Sequence, residues 1–168
     1  MGGETRKAGY RKSHGVRRMR RTHHRASRAS KIIPHLYASA RPSLQMVLRK
    51  KFMTIIDLTV GGESARTRDA YKVNHILYVH SPVRNGFPPT TRQMDRLEQV
   101  IHDCIRGGGE CLVHCCAGHG RTGTVIAAYL VGMGRVDGDA AIRFVRSKRR
   151  RSVETARQEQ FVRLYGEE

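Results

Sequence analysis

The feature that most constrains the fold of this chain is a short apolar strand that runs directly into a glycine-bearing loop and then into a helix. Residues 110–114 (ECLVH) have the length and composition of a buried strand, and residues 122–133 form an apolar run of helical length. Gly118 and Gly120 lie in the loop between them. Such units are typical of α/β proteins, whose functional sites lie beyond the carboxyl ends of the strands. We therefore expect a site in this loop.

Strands and helices alternate along most of the remaining chain. Thr90 and Gln93 have the spacing of a capping box, which predicts a helix that begins at Thr90 and ends at residues 107–109. The alternation predicts an α/β fold with a central, mainly parallel sheet of four to five strands flanked by helices. The other predicted strands are residues 35–39, 53–58 and 74–79, and the other predicted helices are residues 42–51, 138–149 and 154–165.

The positive charge of the chain is concentrated at its amino-terminal end. The 168 residues carry a net charge of +18, and residues 1–31 hold +10 of it, from eleven basic side chains and one acidic side chain. This segment has almost no large apolar side chains, so it cannot bury enough surface to offset the entropy of ordering. We predict a basic, disordered arm over residues 1–31, followed by one folded domain over residues 32–168.

The basic arm is compatible with several partners. It can bind RNA, DNA or another polyanion through the phosphates of that partner, or it can contact an anionic membrane surface. It can also serve as a nuclear import signal, act as an arginine-rich transit peptide, or only raise solubility. No apolar run is long enough for a transmembrane span or a secretory signal. We therefore expect an intracellular, cytoplasmic protein, with nuclear entry through the arm as an alternative.

All four cysteines lie within 13 positions, at Cys104, Cys111, Cys115 and Cys116. A disulfide framework spreads its cysteines along a small secreted chain, so this clustering favours a reducing compartment and a local chemical site. Cys104 lies on the apolar face of a predicted helix, and we expect Cys104 and Cys111 to be core residues. Cys116 is a candidate partner that could trap an oxidised Cys115 as a disulfide.

The loop that follows the strand has the composition of an anion cradle. A loop that enters a helix directs backbone NH groups inward, and Gly118 and Gly120 permit the tight curvature that this requires. Arg121 adds a planar fork that can bind two phosphate oxygens together. Cys115 faces the NH groups, the helix dipole and Arg121, all of which favour thiolate over thiol. The sequence predicts a nucleophile in a phosphate-binding loop.

The same segment has a second interpretation as a zinc site, because His114, Cys115, Cys116 and His119 are all zinc-ligand types. Structural zinc sites use ligand pairs separated by about two to four residues. Adjacent Cys115 and Cys116 cannot readily chelate one ion from such a loop. We therefore expect no metal and no cofactor.

The string HCCAGHGRTG, residues 114–123, resembles the signature of the cysteine-dependent protein tyrosine phosphatase superfamily, which is His-Cys, five residues, Arg, then Ser or Thr. The resemblance extends over residues 32–165: IIPHLYASARPS resembles the opening strand, IIDLT the central strand and SVETARQEQFV the closing helix. The length resembles the compact dual-specificity branch, because classical members are much longer and carry a tyrosine-bearing recognition loop.

The resemblance implies a dual-specificity phosphatase-like fold and hydrolysis of phosphotyrosine, phosphoserine, phosphothreonine or another phosphorylated substrate. Cys115 would attack phosphorus and form a cysteinyl-phosphate intermediate, while Arg121 holds the equatorial oxygens. Thr122 would hydrogen-bond to the departing thiolate, and His114 would help to set the loop. The implied phosphate-binding residues also include Cys116, Ala117, Gly118, His119 and Gly120.

The sequence departs from this family at the general acid. Relatives supply an aspartate from a Pro-x-x-Asp loop, and Asn85 stands at the matching position, in a stretch without any carboxylate from His80 to Thr91. An amide cannot protonate a leaving oxygen, and loss of a positioned acid costs on the order of 10² to 10⁴ in rate.

Three explanations are consistent with this departure. His80 or His119 can act as another proton donor. The leaving group can be acidic, as in the RNA 5′-triphosphatases of the superfamily. The domain can also bind phosphate without turnover. A second basic cluster, residues 146–151 (RSKRRR), precedes the closing helix, where relatives often have Arg-Pro-Gly, so Arg150 and Arg151 add positive charge beside the predicted site. This charge can attract a polyanion, or the cluster is only a solvated helix end.

Overall fold

The computed structural model describes residues 28–166, so residues 1–27 of the arm predicted over residues 1–31 lie outside the described residues. Within the described range the chain forms five strands and six helices. The strands are β1 (Ser30–Ile33), β2 (Leu36–Ser39), β3 (Thr54–Asp57), β4 (Leu77–His80) and β5 (Cys111–His114). The helices are α1 (Leu44–Lys50), α2 (Ala65–Val73), α3 (Thr91–Arg106), α4 (Gly120–Gly132), α5 (Gly138–Lys148) and α6 (Ala156–Leu164).

The five strands form one sheet in the order β1-β2-β5-β3-β4. The pairs β2–β5, β5–β3 and β3–β4 are parallel, and β1 pairs antiparallel with β2 at the edge. The predicted mainly parallel sheet of four to five strands is therefore confirmed. β5 takes a central position because its whole sequence, CLVH, is buried. The register sets Ser39 and Asp57 on either side of His114.

Helices cover both faces of the sheet. Ile56 and Val113 belong to the larger core, which α3 to α6 cover, and Ile55 and Leu112 belong to a smaller core under α1 and α2. Neighbouring residues of one strand thus face opposite cores, as the period of two in a strand requires. Nearly all of α4 is buried, because it packs against the sheet, α3, α5 and α6.

Two elements are not among the sequence predictions. Helix α2 is a polar sequence in which Tyr71 is the buried residue, and its amino-terminal cap is Ser64, which accepts from the Thr67 amide. Because its apolar face is so narrow, the helical period is weak in the sequence. Strand β1 begins at Ser30, so the folded domain begins two residues earlier than the predicted boundary at residue 32.

The other boundaries shift by a few residues. The strand predicted at 74–79 is β4, which begins only at Leu77 because Asn74 caps the end of α2. The capping box at Thr90 and Gln93 is present at the start of α3. No helix among residues 28–166 is long and apolar enough to cross a membrane.

Candidate active site

The loop between β5 and α4 forms the floor of a pocket with a volume of about 570 Å³. Cys115 follows β5 directly and is 3% exposed. Its Sγ accepts a hydrogen bond from the Gly118 amide at 3.2 Å. Cys115 and Arg121 both line the pocket, together with the predicted residues Cys116, Ala117, Gly120 and Asn85.

Arg121 is fixed by two neighbouring loops. It lies in the first turn of α4 and is 5% exposed. Its Nη1 donates to the Leu58 carbonyl at 3.2 Å and to the Val83 carbonyl at 3.0 Å. These carbonyls follow the carboxyl ends of β3 and β4, so the sheet orients the guanidinium beside Cys115. An oriented fork of this kind is suited to two oxygens of one phosphate.

Gly118 is required at its position by conformation and by space. Its φ is +71°, and a Cβ there would lie 2.2 Å from the Ser39 carbonyl carbon and oxygen. The loop thus rests directly on the end of β2. Only glycine permits both the left-handed backbone and this close approach.

The outer side of the loop is held by Arg149, from the end of α5. Its Nε donates to the Gly118 carbonyl at 2.5 Å, and its Nη2 donates to the Ala117 carbonyl at 3.2 Å. Its Nη1 also donates to the Ser30 hydroxyl in β1 at 3.1 Å. The sequence predicted that Arg149 to Arg151 guide an anionic substrate or form a solvated helix end. In the structure, the guanidinium fork of Arg149 supports the loop itself.

The pocket wall carries a carboxylate that sequence reasoning missed. Glu154 lines the pocket, and its Oε2 accepts from the Gly120 amide at 3.2 Å. Relatives carry the acid in the segment that matches residues 80–91, whereas Glu154 lies between α5 and α6. The available sequence signal for Glu154 is its place in the SVET segment, which belongs to the region that resembles the family's closing helix.

The two histidines proposed as proton donors occupy different surroundings. His80 Nε2 lies 2.7 Å from the Thr59 carbonyl, which engages that ring nitrogen. His119 Nδ1 lies 3.9 Å from Glu154 Oε1. Burial, followed by the charge of Arg149, lowers the pKa of His119. Neither histidine lines the pocket.

Two further predicted residues lie beneath the loop. Thr122 is buried, and its hydroxyl has no hydrogen-bond partner among residues 28–166. His114 is also buried, and burial lowers its pKa. Its Nε2 faces Asp57 and Glu63, at 3.8 Å and 3.9 Å from their carboxylate oxygens. The imidazole is therefore directed toward a carboxylate pair under the pocket wall.

The four cysteines fall into two pairs, and all are free thiols. A hydrogen bond with Cys111 lowers the pKa of Cys104 to about 6, against the effect of burial. The same contact and burial raise the pKa of Cys111. Cys111 is buried as predicted, whereas Cys104 is partly exposed and packs against the edge of the core. Cys116 is exposed beside the pocket.

The comparison with known proteins agrees with this geometry. The family model described as dual specificity phosphatase, catalytic domain, matches residues 35–168. The chain belongs to this family. The match therefore covers strands β2 to β5, all six helices and the loop with Cys115 and Arg121.

Individual relatives support the assignment to the dual-specificity family. Protein tyrosine phosphatase domain-containing protein 1 of Danio rerio is 30% identical over 162 residues, which cover 83% of this chain and 22% of that protein. Dual specificity protein phosphatase 22 of Homo sapiens is 32% identical over 124 residues, 71% of this chain and 64% of that one. This chain thus spans about a fifth of the length of the Danio rerio relative.

Solved structures share the family fold. The crystal structure of Tk-PTP in the active form has a TM-score of 0.76 at 26% identity, and the match covers 83% of this chain and 96% of that chain. Kinase associated phosphatase has a TM-score of 0.73 at 17% identity, with coverage of 84% and 93%.

Proposed function

We propose that this domain hydrolyses phosphate monoesters through a cysteinyl-phosphate intermediate on Cys115. One observation carries the proposal: Cys115 Sγ lies in the same pocket as the oriented guanidinium of Arg121 and accepts from the Gly118 amide. An amide in this position can stabilise a thiolate and then a phosphate oxygen beside it. Membership of the dual-specificity family supports the same reaction class.

The reaction takes two steps. In the first, the Cys115 thiolate attacks phosphorus, a sulfur–phosphorus bond forms and the bond from phosphorus to the ester oxygen breaks. Arg121 and the loop amides hold the equatorial oxygens. In the second, water attacks the same phosphorus, inorganic phosphate leaves and the thiolate is restored. The hydroxyl of Thr122, which has no hydrogen-bond partner in the described part of the chain, is available to donate to that thiolate.

Proton transfer is assigned to Glu154 in the second step. Glu154 lines the pocket and is a hydrogen-bond acceptor there, which suits a base that takes a proton from the attacking water. Asn85 lines the same pocket, and its amide can donate a hydrogen bond to the departing oxygen without releasing a proton. The first step therefore favours leaving groups that are stable as anions. We infer a preference for phosphotyrosine over phosphoserine.

A polyphosphorylated substrate is a second candidate, because Arg41 also lines the pocket and its side chain is 46% exposed. This class includes the RNA 5′-triphosphate suggested by the sequence. Binding of RNA or another polyanion through residues 1–31 stays a prediction, since most of that segment lies outside the described residues.

The first test measures hydrolysis of p-nitrophenyl phosphate by the full chain. We expect Cys115→Ser to abolish turnover, because a hydroxyl is not ionised at neutral pH. Cys116→Ser serves as the matched control and should retain most of the activity. Orthovanadate should inhibit the parent chain. Binding of a phosphopeptide with no product over hours would instead identify a phosphate-binding module without turnover.

The second test compares leaving groups. Asn85→Asp should raise kcat on a phosphoserine peptide by about 10²-fold and change kcat on p-nitrophenyl phosphate little, because only the alkyl oxygen needs a proton. Glu154→Gln should lower turnover on both substrates by about 10²-fold and increase the burst of nitrophenol, since the second step slows. Equal effects of Asn85→Asp on both substrates would contradict the assignment. Release of γ-phosphate from triphosphate RNA faster than phosphotyrosine hydrolysis would instead favour the polyphosphorylated substrate.

A further inference from the structure

Beneath the pocket wall lies a group of three buried metal-ligand side chains that the phosphatase reaction does not use as reactants. We propose that Asp57, Glu63 and His114 form a binding site for a divalent transition metal ion of the Zn²⁺ type. One oxygen from each carboxylate and one imidazole nitrogen all lie within 4.8 Å of one another. This site is independent of the phosphate chemistry in the pocket above it, and the predicted absence of a metal concerned a different ligand set, His114 with Cys115, Cys116 and His119 of the loop.

The separations are too long for hydrogen bonds and close to those around an ion. His114 Nε2 lies 3.8 Å from Asp57 Oδ1 and 3.9 Å from Glu63 Oε1. A hydrogen bond needs a donor–acceptor distance of about 3.2 Å or less. Tetrahedral Zn²⁺ with bonds of about 2.0–2.2 Å separates its ligand atoms by about 3.4 Å. The two separations from His114 exceed this value by about 0.4–0.5 Å, and the carboxylate oxygens of Asp57 and Glu63 lie within 4.8 Å of each other, so a bound ion would draw the two carboxylates together.

The burial of these atoms is the second indication of a ligand. The side chains of Asp57 and His114 are 0% exposed, and that of Glu63 is 8% exposed. In the described part of the chain, His114 Nε2 and Glu63 Oε1 are buried without a hydrogen-bond partner. Buried polar atoms without partners are costly, so two such atoms that face each other indicate that something binds between them.

The surrounding hydrogen bonds orient the ligands as they do around known metal centres. The Tyr78 hydroxyl donates to Asp57 Oδ2 at 2.8 Å and accepts from the Glu63 amide at 2.9 Å. The Thr59 amide donates to Asp57 Oδ1 at 2.8 Å. A carboxylate oxygen has two lone pairs, so Asp57 Oδ1 can still bind an ion. Partners of this kind fix the geometry of metal ligands.

One nearby cation competes with the ion. Arg41 Nε lies 3.9 Å from Glu63 Oε1, and its Nη2 donates to the Thr59 hydroxyl. A guanidinium at this distance repels a divalent cation and attracts the carboxylate that would bind it. Removal of the Arg41 charge should therefore strengthen metal binding, which is the opposite of the effect expected from removal of a ligand.

The bound ion would connect the core of the sheet to the pocket wall. Asp57 and His114 end the paired strands β3 and β5, and Glu63 lies in the segment before α2. Thr59 and Gly61 of that segment line the pocket. The role assigned to the ion is structural, since it holds this wall against the strands.

The test uses the full chain with Cys115→Ser and Cys116→Ser, which removes the thiols of the pocket. Titration with Co²⁺ should give one equivalent bound with visible d–d bands and no thiolate-to-cobalt charge-transfer band in the near ultraviolet. Zn²⁺ should displace the Co²⁺ and raise the Tm, because an ion that binds only the folded state stabilises it. A charge-transfer band would place the ion on Cys104 or Cys111 and overturn the proposal.

Three variants of this background complete the test. Glu63→Gln should weaken Co²⁺ binding by about 10²-fold or more, and Arg41→Gln should strengthen it severalfold. Glu110→Gln is the matched control, because Glu110 pairs with His35 at 3.3 Å elsewhere and should leave binding unchanged. Circular dichroism checks that each variant is folded. Absence of Co²⁺ binding, or equal binding by Glu63→Gln and the parent, would overturn the proposal and leave water between the three side chains.

Discussion

At the scale of single residues, the close approach of Gly118 to β2 determines whether the loop between β5 and α4 can form. The loop backbone lies against the Ser39 carbonyl, where no side-chain atom fits. The backbone amide of Gly118 also donates a hydrogen bond to Cys115 Sγ. A change at this position therefore alters the packing of the sheet and the environment of the candidate nucleophile together.

Gly118→Ala should lower kcat on p-nitrophenyl phosphate by at least about 10²-fold, since a 1 Å displacement can have that effect. The left-handed backbone adds about 1–2 kcal/mol of strain. Gly108→Ala is the control: its φ is +73°, but nothing lies within 4 Å of its Cβ position. Kinetics and Tm of both variants separate backbone strain from steric overlap. Equal kcat values would show that the overlap is relieved without moving the loop.

At the scale of secondary-structure elements, α5 and α6 are joined by a network of ion pairs. Arg146 Nη2 donates to Glu159 Oε1 at 2.7 Å, and Arg163 Nη2 donates to Glu159 Oε2 at 3.0 Å. Arg163 Nε also donates to Asp139 Oδ1 at 2.7 Å. The two helices flank the segment that carries Glu154, so this network helps to hold the pocket wall.

The network should make stability depend on pH through Glu159. The hydrogen bond from Arg146 is the main cause that lowers the pKa of Glu159 from 4.5. The stabilisation by the Glu159 carboxylate is therefore fully present at pH values above its unfolded-state pKa. This stabilisation is lost as the pH falls through the lower pKa of the folded state. Glu159→Gln should lower the free energy of unfolding by about 0.5 kcal/mol near neutral pH, after allowance for solvent screening.

Urea unfolding at neutral and acidic pH measures this dependence on Glu159. The difference between the parent and Glu159→Gln should shrink as the pH falls. Asp103→Asn is the control, because Asp103 forms a single exposed pair with Arg106 within one helix. A difference that grows toward acidic pH would contradict the sign.

At the scale of the whole molecule, Arg149 connects parts of the chain that are far apart in sequence. It joins the end of α5 to the carbonyls of Ala117 and Gly118 in the loop before α4 and to Ser30 in the edge strand β1. Arg149 thereby supports the candidate active site from outside the pocket, while Arg121 is held from the sheet side.

Arg149→Lys should lower kcat by about tenfold, about 1.4 kcal/mol of activation free energy, and leave KM nearly unchanged. The reason is geometric: an ammonium group keeps the charge but cannot reproduce the guanidinium fork. Arg150→Lys is the matched control and should have little effect, because Arg150 is exposed. Steady-state kinetics check the prediction. Equal kcat values for the two variants would show that charge alone is sufficient at Arg149.

Much of the fold could be predicted from sequence because the signals are local. Buried strands such as β5 have apolar runs, α3 has a capping box, and glycines mark the ends of elements. The family resemblance was read from the loop for the same reason, since Cys115 and Arg121 are separated by a fixed short spacing. Helix α2 was missed because its stability comes from Tyr71 and tertiary packing rather than from a strong apolar period.

The sequence alone predicts the strand–loop–helix unit, the candidate nucleophile and the lack of an aspartate at position 85. The tertiary fold is needed to bring Glu154 to the pocket wall, Arg149 to the loop, and Asp57, Glu63 and His114 together. Each of these depends on contacts between residues distant in the chain. Such contacts depend on the order and register of the strands and on helix packing, and no local pattern of residues records them.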